Sequence, residues 1–99
     1  MRLTELEPRW IHPNLFVFLC PHCKQWLLTC KNAVLSEHEQ FDLFEKTLGD
    51  DWNKLIVPAN ADCSWTITGN SFDDYSVSPS IDASAAGHWH GHITNGEIK

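Results

Sequence analysis

Apolar positions along the chain change rhythm as the sequence proceeds, and each change marks a different kind of element. Between residues 9 and 30 they come in short dense runs: Arg9-Trp-Ile-His12, Leu15-Phe-Val-Phe-Leu19 and Gln25-Trp-Leu-Leu-Thr-Cys30. Runs of this length, rich in aromatic and β-branched residues and separated by turn formers, read as strands. Pro8, Pro13 and Asn14 supply the first breaks. From Ser36 the period lengthens. Phe41, Phe44 and Leu48 fall at helical spacing, while Glu37, Glu39, Glu45 and Lys46 are left for the wet face. Ser36 with Glu39 forms a capping box and Gly49 a stop, so the pattern predicts a helix over 37–48 whose aromatic stripe belongs to the core.

Beyond the helix the strand rhythm returns. Leu55-Ile-Val57 ends at Pro58, and Ser64-Trp-Thr-Ile-Thr68 alternates and stops at Gly69-Asn70. Tyr75-Ser-Val-Ser78 precedes a break at Pro79-Ser80. Trp89 to Thr94 forms a last strand closed by Asn95-Gly96, with Glu97-Ile98-Lys99 pairing back as a short arm. The expected fold is α+β and mostly β: a single domain over 1–99, built as a small zinc-stapled antiparallel sheet with one inserted helix.

The staple comes from Cys20-Pro-His-Cys23 and His88-Trp-His90-Gly-His92. Two thiolates on a tight turn between two strands form a knuckle that grips Zn²⁺ at ~2.3 Å per sulfur, and two imidazoles at about 2.0–2.1 Å close the tetrahedron. A redox reading of Cys-x-x-Cys calls for a βαβ context, which this pattern lacks. In an extended segment His88, His90 and His92 share one face. The expected ligands are Cys20, Cys23, His88 and His90, with His92, Cys30 and Cys63 as rivals. Cys30 and Cys63 read more simply as small buried hydrophobes. His12, His22 and His38 read as solvated or hydrogen-bonded, with His22 also placed to support a ligand from behind.

Composition narrows the function. The chain has 99 residues, 42% of them hydrophobic, which suits one folded domain. Thirteen acidic against seven basic residues give a net charge of −6 and no basic stripe, which disfavours a nucleic-acid partner and favours a basic protein surface. Five tryptophans supply core and interface candidates. Trp52 and Tyr75, in acidic loop settings, are the expected anchors for a protein partner. No signal peptide or membrane-length apolar segment is evident, so the expected location is the cytoplasm, where four cysteines serve as metal ligands and core thiols rather than disulfides.

Ser78-Pro-Ser-Ile81 followed by Gly87-His-Trp-His-Gly91 and Ile93-Thr-Asn-Gly96, downstream of Cys20-Pro-His-Cys23, resembles a family of small phage and bacterial proteins described as a domain of unknown function. Some members carry an ammonia-monooxygenase label at odds with their small size. The resemblance spans about residues 9–98 in outline, with the helical segment as an extension. It implies a compact zinc-binding β fold and a phage or mobile-element origin, hence a host cytoplasm. Many members offer a Cys where this chain has Gly87 and a His at the position of His90, which makes His88 the substitute ligand.

These readings lead to a non-enzymatic zinc protein that acts through protein–protein contact, binding a host factor or inhibiting a defence system. Four protein ligands would leave the metal no open position. The alternative is a zinc hydrolase with three protein ligands, a bound water, and Asp73, Asp74 or Asp82 as base. A Ser80 or Ser84, His88 and Asp82 triad has only sequence proximity behind it, so no catalytic residue is assigned. Single-strand nucleic-acid stacking on Trp26 and Trp89 beside Lys24 ranks last.

Overall fold

The computed structural model describes residues 1–59, 63–84 and 87–99. Among these, eight strands fall into two four-stranded sheets, with one α-helix between strands of the first. The mostly β character and the single inserted helix follow the sequence pattern. The division into two sheets adds a layer to it.

The first sheet has the order β1-β2-β3-β4, from β1 (Arg9–His12), β2 (Leu15–Leu19), β3 (Leu27–Lys31) and β4 (Ile56–Val57). Its first three strands are antiparallel, with Leu19 opposite Leu27 at the mouth of the β2–β3 hairpin. β4 joins β3 in parallel, because the chain returns to it only after the helix α1 (Glu37–Leu48). The second sheet runs β5-β6-β7-β8, from β5 (Thr66–Thr68), β6 (Ser76–Asp82), β7 (His90–Thr94) and β8 (Glu97–Ile98), all antiparallel.

The dense run on β2 has a simple cause. Phe16 and Phe18 point into a core shared with Val77, Ile81, Trp89 and Ile93 of the second sheet, while Leu15 and Val17 point the other way, to Phe44 of α1 and Leu35. A strand buried on both faces has no polar alternation to show. Each such side chain contributes roughly 1.5–3 kcal/mol of burial. The molecule is thus layered as second sheet, first sheet, helix.

Local signals set the element ends. Ser36 Oγ accepts the Glu39 amide at 3.1 Å and Glu39 Oε1 accepts the Ser36 amide at 3.3 Å, so the capping box is formed. Gly49, at φ +83°, donates its amide to the Glu45 carbonyl and ends the helix. Asn95 and Gly96 both have positive φ and turn β7 into β8. Two differences from the sequence reading stand out. β6 continues through Pro79 to Asp82, and the β6–β7 register shifts between Val77 and Ile81 where proline can donate no amide. Gln40, a polar residue, is buried on α1, where its carboxamide exchanges two hydrogen bonds with Ala59 and donates to the Leu35 carbonyl.

Candidate metal centre

Cys20 follows β2 directly and continues the alternation of Phe16 and Phe18, so its thiol is buried at the end of the inter-sheet core. Its amide donates to the Trp26 carbonyl and its carbonyl accepts from the Lys24 amide, both at 2.8 Å. Lys24 closes this knuckle with φ +54°. Cys23, at the tip, is exposed. Desolvation acts to raise its thiol pKa, but the amides of Gln25 and Trp26 and the Cys20 side chain favour the thiolate, and together they hold the group below its ordinary value.

The third member arrives from the second sheet. The loop after β6 is tied by hydrogen bonds from the Gly87 amide to the Ser84 carbonyl and from the His88 amide to the Ala83 carbonyl. Gly87 takes φ +79°, a conformation that suits a residue without Cβ. Trp89 then drops into the core, edge-on to Phe18 with ring centroids 6.2 Å apart. His88, held between these two constraints, lies with its ring 5.7 Å from that of Trp26 and its Nδ1 3.7 Å from the Cys23 sulfur. The donor atoms of Cys20, Cys23 and His88 all lie within 4.8 Å of one another, so these three residues could hold a metal ion. Two thiols and an imidazole form a donor set suited to a soft or borderline cation.

His90 does not join this group. It opens β7 opposite Asp82 and is exposed there, as is His92 further along the same face. β7 begins at His90, yet burial alternates from His88 through Thr94, with Trp89, Gly91 and Ile93 buried and the three histidines on the less buried side. Cys30 is buried in the inter-sheet core opposite Phe16, and desolvation pushes its thiol pKa far up, so it stays protonated. Cys63 is exposed, and its carbonyl accepts a hydrogen bond from the buried Lys31.

The expected partner anchors are both packed. Trp52 is stacked on Phe41 at 4.7 Å and tilted against Phe44, and Tyr75 lies within an aromatic cluster with Trp10, Phe16 and Phe72. The better exposed aromatic is Trp10 on edge strand β1, 37% accessible. A serine triad finds no support. The Ser84 hydroxyl donates to Asp82 Oδ1 at 2.5 Å, so the carboxylate orients the serine rather than a histidine. Those bonds from the Ser84 side chain and amide, with His90 nearby, lower the Asp82 pKa.

Family models, curated proteins and solved structures give no match to this chain. Among the described residues no helix is long and apolar enough to cross a membrane.

Proposed function

We propose that the chain is a small zinc-binding protein in which the ion clips the β2–β3 knuckle to the second sheet, and that it acts through protein–protein contact rather than catalysis. One observation carries the first part: the three clustered donors come from opposite sheets, so a bound ion would cross-link the two layers. Zinc is the choice because the thiol–imidazole set matches its common ligands and it adds no redox chemistry. The apolar side chains exposed at Trp10, Val34 and Leu55 offer contact area, and the net charge favours a basic partner surface. The resemblance to phage proteins makes such a partner a host or defence factor.

A second reading, a zinc hydrolase, draws on the same cluster, because three protein ligands are the pattern of catalytic zinc sites. Against it, Asp82 is committed to Ser84. Elemental analysis of the purified protein, with thermal melts before and after chelation, tests the clip. Absence of zinc, or melts that do not respond to its removal, would defeat it. Metal-dependent turnover of ester or phosphate substrates, lost in His88→Ala, would establish the second reading instead.

A further inference from the structure

We propose that the metal held by Cys20, Cys23 and His88 completes its coordination with a thiolate that is not part of this chain. The inference rests on the metal reading above and names the ligand class of that centre.

The first support is the placement of the rival donors. A tetrahedral ion needs one donor beyond the three that cluster. Among the described residues only these three bring donor atoms within 4.8 Å of one another. His22 is exposed in the knuckle, His90 and His92 are exposed on β7, Cys30 is buried in the inter-sheet core, and Cys63 is exposed ahead of β5. The second support is accessibility. Cys23 is exposed and His88 half-buried, so the cluster lies at the surface with Cys20 as its buried floor. The Trp26 ring beside His88 provides an apolar wall for the carbon atoms of an incoming ligand.

Charge gives the third support and selects the ligand. The chain has thirteen acidic residues, yet 8–36 and 83–96, the two segments that build the cluster, contain none, and the carboxylate that adjoins the second, Asp82, is bonded to Ser84. They carry Lys24 beside Cys23, and five of the six histidines. Two thiolates and a neutral imidazole cancel a divalent charge, so one more anion leaves the centre at −1, and these segments set no carboxylate against it. The sulfur-rich donor set is itself soft, which favours a further sulfur over oxygen. In the exchange the incoming thiol gives its proton to solvent, its sulfur binds the metal, and a bound water leaves.

Cobalt(II) substitution reads this directly, since its d–d bands report coordination geometry and its near-ultraviolet charge transfer reports bound thiolates. Titration of the cobalt protein with 2-mercaptoethanol should change the d–d bands saturably and raise the charge-transfer intensity to roughly half as strong again, from two sulfurs to three. The change should survive in His90→Ala, whose exposed position leaves the fold intact by circular dichroism. A parallel titration with a short cysteine-containing peptide separates the sources: tighter binding than the small thiol assigns the ligand to a protein cysteine, and equal binding assigns it to a free thiol.

A cobalt spectrum that ignores thiol overturns the proposal. If that spectrum also weakens in His90→Ala, His90 is the missing ligand. Bleaching of the bands as the thiol strips cobalt from the protein overturns it as well. Failure to bind cobalt at all is a separate outcome, which removes the metal reading beneath it.

Discussion

The indole of Trp89 lies against the backbone of Gly91, two residues further along the same chain. A Cβ at position 91 would stand 2.5 Å from the six-membered ring of that indole, in space the ring already occupies. Since Trp89 is the buried neighbour of His88, Gly91→Ala should swing the indole and displace the histidine with it. We expect a changed tryptophan emission and a weaker metal affinity in a protein that keeps its far-ultraviolet spectrum. Unaltered emission and affinity would show that the ring shifts at no cost.

The cluster itself should respond to its members unequally. Cys20→Ser with Cys23→Ser should abolish metal uptake, and His88→Ala should weaken it, as measured by elemental analysis after dialysis. His92→Ala should retain full metal content. Retention by the double cysteine variant would mean that the ion sits elsewhere.

On α1, Ser36→Ala removes the acceptor for the Glu39 amide and should cost roughly 0.5–2 kcal/mol in denaturant unfolding. Phe44→Ala leaves a void beneath the first sheet, between Trp52, Leu15 and Val17, and should cost about 3–5 kcal/mol. A loss of partner capture with stability unchanged would instead make the Phe44 face an interface.

Asp74 offers a pH test. Its Oδ1 accepts the amides of Ser71 at 3.0 Å and Asn70 at 2.9 Å, and these bonds lower its pKa below the ordinary value of 3.8. Because the folded pKa is the depressed one, its stabilising contribution is full above the ordinary carboxylate value and is lost as pH falls through the folded pKa. The stability gap between the protein and Asp74→Ala should therefore hold at neutral pH and close under acid, as followed by thermal melts. A gap that widens on acidification would contradict the assignment.

What could be read from the residues alone follows the range of the interactions. The α1 cap was legible because Ser36 and Glu39 are three positions apart and bond each other. β2 was legible because burial on both faces writes an unbroken apolar run. The knuckle and His88 were legible as chemistry, since thiols and imidazoles in those patterns have few other uses. The sheet partition was not, because the parallel β3–β4 pairing is set by how α1 returns the chain. Gln40 was missed since its burial depends on Ala59, nineteen residues away. His90 is expected at the metal because alternation sets it on the side of His88, but a shared side does not fix the distance to the knuckle, where Cys20, Cys23 and His88 form the group.

The double-sided burial of β2 makes that strand a mechanical link between distant parts of the molecule. Leu15 and Val17 anchor the helix layer, Phe16 and Phe18 anchor the opposite sheet, and Cys20 stands at the strand's end. Neither layer can peel away without stripping a strand the other needs, so melting should proceed as one cooperative event. The helical signal of α1 then becomes a remote gauge of the ion. Withdrawing the metal should lower the midpoint at which α1 unwinds, although no residue of that helix belongs to the metal cluster.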